Sequence, residues 1–555
     1  MKTLRLLATL FLLAVAPSLW AYSTPNVPVD DPVYRDIDKL VAFGLIKDAI
    51  YGQRPWSRRE IARMVADAMD KVDRNPPLTP DDREISEKIY ASDVIDRLKE
   101  RFHDELVDAG ALPGDAKNIR VHPLEEVRFD YTLLDSPFRA IPASNGLGLI
   151  NGVVNPLVAY REGRHYVDGN ALGLETTHTA KLSPYLSLYA RPRFEGLVPN
   201  TGGSDFNPLV QQAYAKFAYR NFEVEVGRDS LIWGQGEWGG LLLSNNARPL
   251  DLLRLGTDSP VTLPSILKYL GPNGFQIFFA DLGPEWAFPH AILSGFKWTI
   301  KPFRFLELGF NHVVIMGGEG ANDPSFLEAF GEFTGILSAV TANKRDGGAT
   351  TNRLLSVDGR ITFPFLRNAI LYGEVGFDDT NSEISVLFED NAMYFFGVYF
   401  PRLTQSGSTD LRLEYRHVPA GAYRHSPYNN GYTLNQRLIG DEIGPDGHGV
   451  YAKMNVDFAT SSTWTLATSY ENRDSDLFTS IPDSEGNVTD IVQTQDNPTE
   501  HRWLINTAFR WKLRRNLGLA LSTGYERIWN FGFLQNNSAD NFLGAAALTY
   551  EPGWF

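Results

Sequence analysis

The chain has 555 residues, 52 Lys and Arg against 67 Asp and Glu, a net charge of −15 and no cysteine. That balance excludes nucleic acid as a partner, because a polyanion is held by a basic face. The abundance of Gly (48), Phe (34), Tyr (23) and Trp (11) beside only 6 Met suits strands with aromatic girdles and tight turns.

Residues 1–21 read as a secretory signal peptide: Lys2 and Arg5 precede the apolar stretch from Leu6 to Ala16, then Pro17 and a cleavage point after Ala21. The mature chain then leaves the cytoplasm. No later segment approaches the roughly 18 uninterrupted apolar residues that a membrane helix needs. A mature chain that spans a membrane must therefore do so as a closed barrel, because backbone groups in lipid have to be paired internally. A bacterial outer membrane is the expected address.

Residues 22–120 form a helical domain expected in the periplasm. Tyr34, Ile37, Leu40 and Val41 fall at helical spacing before Gly44. Ser57 and Glu60 predict a reciprocal capping box for a second helix, whose face continues through Ile61, Met64, Val65 and Ala68. Thr79 and Pro80 open a third, with a stripe from Ile85 and Ile89 through Ile95, Leu98 and Phe102 to Leu106, ending near Gly110. Three helices are expected in all.

Residues 121–555 are expected to form the barrel: between Val127 and Tyr550 the chain alternates apolar with small or polar residues in runs of roughly nine to eleven, the pattern of a transmembrane barrel. In residues 505 to 513, Ile505, Thr507, Phe509, Trp511 and Leu513 make one face, and Asn506, Ala508, Arg510 and Lys512 the other. Short turns are expected near Ser183, Asn221, Asn273, Pro302, Phe365, Ser406, Ser461 and Arg515. Long loops are expected over 135 to 168, 196 to 210, 229 to 259, 281 to 289, 315 to 351, 378 to 392, 418 to 448, 472 to 499 and 529 to 540. Keeping all of these on one side demands a further strand between about Val261 and Leu270, and the count is then about eighteen. A barrel of that size has a wide lumen. Glu223, Glu225, Glu307, Glu374, Arg412, Glu414 and Arg416 are expected to line it. The terminal Phe555 fits an outer-membrane barrel, although Pro552 and Gly553 shift the register of the last strand.

Two loops carry candidate binding chemistry. A sugar polymer is recognised by flat apolar faces and by planar amide or guanidinium groups. The loop from 230 to 249 offers Trp233 and Trp238 as faces, Gln235, Asn245 and Asn246 as amides and Arg248 as a fork. The alternative is an inward plug, with Asn245, Asn246 and Arg248 satisfying lumen charges such as Glu223 and Glu225. The second loop sets Tyr423, Tyr428 and Tyr432 among Arg424, His425 and Arg437, a mixture suited to an acidic glycan or to an ordinary solvated loop. Asp441, Glu442, Asp446 and His448 match no ion-loop template, and no metal or cofactor is expected. There is no His-Glu-x-x-His, nucleophile elbow or phosphate loop. His312 and His417, at strand ends, read as girdle residues rather than bases.

Three segments together resemble the capsule assembly Wzi family of outer-membrane proteins. They are Gly227 through Trp233-Gly234-Gln235-Gly236 to Ser244-Asn245-Asn246-Ala247-Arg248-Pro249; Met316-Gly317-Gly318-Glu319-Gly320; and Glu414-Tyr415 followed by Gly431-Tyr432 to Gly447 with Arg437-Leu438-Ile439-Gly440 inside it. The family more often has an aromatic residue at the place of Met316. The resemblance implies a non-enzymatic surface lectin that attaches capsular or extracellular polysaccharide to the cell surface, in contact with outer-membrane lipid and lipopolysaccharide. Residues 31 to 69 also resemble an S-layer homology module through Tyr34-Arg35-Asp36-Ile37 and Ser57-Arg58-Arg59-Glu60-Ile61-Ala62, which implies a weak cell-wall contact or a structural bundle closing the barrel floor. The competing readings are a porin, motivated by the wide polar lumen, and an outer-membrane hydrolase.

Overall fold

The computed structural model describes residues 22–74, 82–237, 239–322, 324–334, 351–378, 388, 391–459, 462–484 and 488–552. The expected signal peptide, Thr79, Pro80, Trp238, Ser461, Gly553 and Phe555 lie outside them.

Eighteen long antiparallel strands among the described residues close into one barrel. In chain order they are β1 (Arg120–Asp135), β2 (Gly169–Ser183), β3 (Leu186–Pro199), β4 (Asp205–Tyr219), β5 (Phe222–Asp229), β6 (Leu250–Thr257), β7 (Pro272–Asp281), β8 (Ile292–Phe303) and β9 (Leu306–Met316). The second half comprises β10 (Thr351–Phe363), β11 (Ala369–Asp378), β12 (Ala392–Phe400), β13 (Thr409–Val418), β14 (Gly447–Ala459), β15 (Ser462–Arg473), β16 (Glu500–Arg514), β17 (Leu517–Trp529) and β18 (Ser538–Tyr550). The barrel closes where β1 meets β18, from Val127 opposite Tyr550 to Asp135 opposite Phe542. Closure leaves no unpaired edge, the condition for crossing lipid with strands.

Strand parity sorts the side chains as the alternation predicts. Phe129, Val226, Trp298, Phe310, Val357, Phe396, Trp503 and Trp511 are exposed on the outer wall, while Glu223, Glu225, Glu307, Glu374, Arg412, Glu414 and Arg416 are buried inside. The lumen is wide but filled. Lys297 Nζ donates to Asp358 Oδ2 (2.7 Å), Arg254 Nη2 to Glu225 Oε2 (2.7 Å) and Arg416 Nη2 to Glu414 Oε2 (2.5 Å). Buried charges survive only when paired in this way.

One strand lies elsewhere than expected. Between Val261 and Leu270 the chain forms a two-residue rung, Val261–Thr262, and a 3-10 turn, Ser265–Leu270. The descending strand is β6, inside the expected 229 to 259 loop. Its alternation is masked because leucines occupy both faces: Leu250 and Leu252 point inward onto apolar packing, while Leu253 points to the outer wall. Consequently the turn expected at Asn273 spans 258 to 271, and Asn273 sits within β7. The loop expected over 196 to 210 is also mostly strand, since only 200 to 204 separate β3 from β4.

Among the described residues four helices, not three, precede the barrel: α1 (Val33–Ala42), α2 (Arg58–Arg74), α3 (Asp82–Arg101) and α4 (His103–Asp108). The expected third stripe breaks at Phe102, whose backbone (φ −106°, ψ 24°) leaves the helical region; Ile89 is exposed, whereas Ile95, Leu98, Phe102 and Leu106 are buried. Gly44 (φ +75°) ends α1 in a Schellman turn, with Gly44 N–H on Val41 O and Leu45 N–H on Leu40 O. At α2 only the forward half of the capping box forms. Ser57 Oγ accepts from Glu60 N (2.9 Å), but the Glu60 carboxylate turns to Arg63 (2.7 Å) and to Ser259 on the barrel (2.6 Å).

The helices dock on the short-turn end of the barrel. Arg59 pairs with Asp258 (2.6 Å), Arg35 with Asp410 (2.6 Å) and Asp457 (2.8 Å), and Lys39 Nζ donates to the carbonyls of Pro401 and Gly407. Most of the charged residues of the S-layer-like segment are thereby turned onto the barrel or the bundle's own helices, Asp36 being held by Arg97.

Candidate functional site

The loop between β5 and β6 (residues 230 to 249) folds down into the lumen. Gly234, at φ +110°, takes a conformation closed to other side chains, and a Cβ at Gly240 would lie 2.3 Å from Trp233 O and 2.1 Å from the Glu374 carboxylate. The turn that results seats Trp233 at 0% exposure, its ring edge-on to Phe278 at 5.2 Å and its Nε1–H donating to Gln276 Oε1 (2.8 Å). Gln235 Nε2 donates to Glu307 (3.0 Å) and Asp358 (2.9 Å). Asn245 Nδ2 reaches Tyr160 O (3.3 Å), and Asn246 Nδ2 reaches Leu438 O (3.1 Å).

These residues thus take the inward position, with one correction. Asn245 and Asn246 hold neighbouring loop carbonyls rather than Glu223 and Glu225, which are met by Lys216, Arg254 and Asn26 from the barrel wall and the N-terminal segment. Arg248 keeps 29% of its side chain exposed and lies 3.8 Å from Asp251.

The segment before α2 rises from the opposite end to meet this loop. Gln53 and Arg54 pair with Trp233 and Ile232, and Gly234 N–H donates to Gly52 O (2.9 Å). The lumen is therefore spanned by backbone contacts between a floor and a roof.

The second candidate loop (residues 419 to 446) lies over the first. Its tyrosines are pins rather than platforms: Tyr423 Oη donates to Leu241 O (2.6 Å), Tyr432 Oη to Leu242 O (2.9 Å) and Tyr428 Oη to Gly317 O (3.1 Å). All three rings are buried, with Tyr423 and Tyr432 stacked at 5.7 Å. Arg424 is buried too, donating to Pro142 O (2.7 Å), and burial pulls its guanidinium down to about 10. Asp441 and Glu442 also point inward, to Arg416 (2.5 Å) and Arg473 (3.6 Å).

What the loop presents outward is a hairpin tip. Thr433–Leu434 pairs with Arg437–Leu438 across Asn435 and Gln436, both at positive φ (49° and 62°), the geometry of a two-residue type I′ turn. The tip amides are exposed, and the backbone brings others beside them: Val153 N–H donates to Gln436 O (2.8 Å), and Asn151 N–H to Asn430 O (3.1 Å). Arg437 lies half-buried against this patch, its guanidinium 4.0 Å from the Phe138 ring centroid, and burial lowers its pKa to about 10. Amides, one cation and an aromatic edge on a fixed support can hydrogen-bond hydroxyls and pair with a carboxylate. Asn151, Asn430, Asn435 and Gln436 are absent from the sequence-based candidates; the signal that could have found them is the Asn-Asn-Gly and Asn-Gln pair flanking Tyr432.

The two histidines weighed as bases are otherwise engaged. His312 Nδ1 lies 3.1 Å from Phe333 O, and the His417 ring packs 4.9 Å from Tyr394.

A strand-closed barrel with an apolar outer wall, a lumen packed from both ends and amide-bearing loops on the side away from its short turns is an outer-membrane β-barrel with a filled lumen. Residues 153–543 match the family described as capsule assembly protein Wzi, and the chain belongs to that family. A solved structure of Wzi from Escherichia coli, described as an outer-membrane protein involved in group 1 capsule assembly and a carbohydrate-binding β-barrel, is 18% identical. It covers 96% of this chain and 100% of its own, with a TM-score of 0.64. At that identity the likeness is one of fold. OprD from Pseudomonas aeruginosa is 9% identical over 78% of this chain and 94% of its own, with a TM-score of 0.40. An uncharacterized 55.8 kDa protein in the cps region of Klebsiella pneumoniae is 29% identical over 178 residues, 32% of this chain; the match spans 34% of that relative's length.

Proposed function

We propose that this barrel is a surface lectin that attaches capsular or extracellular polysaccharide to the outer membrane, without catalysis. The observation that carries the reading is the amide patch of Asn151, Asn430, Asn435 and Gln436 around Arg437, displayed on a hairpin whose base is pinned by three buried tyrosines. A rigid support lowers the ordering cost of holding a flexible polymer, and several weak contacts along one chain add by avidity. Trp233, Gln235, Asn245 and Asn246 act beneath this surface as the support, and Arg248, partly exposed beside Asp251, is open to a ligand carboxylate. The carbohydrate binding described for the E. coli protein agrees with this reading.

The packed lumen supports a lectin over a diffusion channel, which needs a continuous water path. The N-terminal helices serve as the floor; the engagement of Arg35, Asp36 and Arg59 within the protein supports that structural role over a cell-wall contact. Deleting the gene in its host tests the function directly: cell-bound polysaccharide should move to the medium while total synthesis is unchanged. Unchanged cell-bound polysaccharide would reject the attachment role.

A further inference from the structure

The loop between β9 and β10 contains a short helix, α5 (Phe326–Thr334), capped by Ser325 and Glu328, whose side chains each take the other's backbone N–H. It does not lie over the lumen. Phe333 packs against Phe279 (5.4 Å) and Phe296 (5.7 Å), its carbonyl lies 3.1 Å from His312 Nδ1, and Glu332 pairs with Arg353 (3.3 Å). All four partners hold outward positions by strand parity: Phe279 alternates with buried Phe278, Phe296 with buried Lys297, His312 with buried Asn311, and Arg353 with buried Asn352. His312, Ser294 and Val314 share that outward parity at the loop end of their strands, yet are buried. The helix therefore rests on the outside of the barrel, on the wall that faces lipid.

Among the described residues, its remaining large apolar side chains are left largely uncovered. Phe326 is 88% exposed, Leu327 71% and Phe330 42%. Three large apolar groups in water on one short helix would be unfavourable, but the surface they adjoin is continuous with the lipid-facing band of Trp298 and Phe310. We propose that α5 is a membrane-interface foot, with Phe326, Leu327 and Phe330 set into the headgroup and acyl boundary of the outer leaflet. The same loop is pinned to the roof at Gly317, whose carbonyl accepts from Tyr428. A single segment thus ties the roof of the lumen to the bilayer surface. It takes this loop out of the outward-facing surface and sets the height at which the remaining loops stand above the lipid.

The absence of native cysteine makes a direct test available. A Leu327→Cys variant carries a polarity-sensitive fluorophore, and the full-length barrel is reconstituted in phosphatidylcholine and phosphatidylglycerol vesicles containing doxyl lipid. An Asp490→Cys variant in an exposed outer hairpin serves as the aqueous control. The proposal predicts blue-shifted emission at Leu327 that is quenched by doxyl lipid and shielded from iodide, with the reverse at Asp490. Iodide quenching at Leu327 would overturn it, as would shielding from both quenchers, which would put a second copy of the chain on this face. Retained heat-modifiable migration shows that the variant is folded, and Phe330→Cys reads the same helix face if Leu327→Cys is not.

Discussion

Gln53 and Trp233 sit opposite each other in a two-residue antiparallel ladder in the middle of the lumen, although one belongs to the N-terminal helical domain and the other to a loop on the far side of the barrel. Each is held from its own side, Trp233 by Phe278 and Gln276, and the turn next to Gln53 by Glu307, which accepts from Gly52 N (2.8 Å). The floor and the roof are thus one packed unit, and this explains why the conspicuous Trp233-Gly234-Gln235-Gly236 segment is internal.

Trp233→Ala removes the largest buried ring of this unit and should destabilise the barrel by about 3 to 5 kcal/mol, the usual cost of a Trp cavity. The midpoint of urea unfolding in detergent reads it. Polysaccharide affinity of the fraction that remains folded should change little, because the ring has no exposed surface.

Arg59→Ala leaves buried Asp258 with its strongest partner gone and should cost about 3 to 5 kcal/mol. Arg59→Met with Asp258→Leu should cost less than the single change, since no charge is then stranded. If both variants unfold at the same urea concentration, the ion pair is not what holds the floor.

The intact protein should give no steady current in a planar bilayer. Deleting residues 236 to 244, which include the Leu241 and Leu242 carbonyls held by Tyr423 and Tyr432, should open one. A large conductance of the intact chain would contradict a lumen closed by packing.

Asp446, in the outer loop before β14, has its pKa raised to about 7 by burial first and then by Asp474 and Asp476. A carboxyl raised above its unfolded value of 3.8 binds more protons in the folded state. Its contribution to stability is therefore fully present below about pH 4 and is lost as pH rises toward 7. Amide hydrogen exchange in residues 441 to 447 should accelerate over that window, beyond the intrinsic rise in rate, and Asp446→Asn should flatten the excess.

How much the sequence discloses depends on what each face of an element touches. β16 is legible because Trp511 and Leu513 meet lipid while Arg510 and Lys512 face inward. β6 is not, because Leu252 packs on the roof as Leu253 packs on lipid, and a strand apolar on both faces shows no period of two. The break at Phe102 is equally silent, since the apolar stripe runs on through Leu106. At the site, Trp233, Asn245, Asn246 and the tyrosines stand out as unusual, but ligand contact and internal packing require the same side chains. Burial separates the two, and it is set by contacts such as that of Tyr432 with Leu242, 190 residues apart. The exposed amides escape notice because Asn435 also suits any tight turn.

The most direct test of the account is binding of host surface polysaccharide to the purified, detergent-folded barrel, compared with an Asn435→Ala, Gln436→Ala, Arg437→Ala variant of unchanged unfolding midpoint. The account predicts saturable binding by the native protein, weakened about tenfold or more in the variant, equivalent to about 1.4 kcal/mol. Equal binding by the two proteins, or none by the native one, would contradict it.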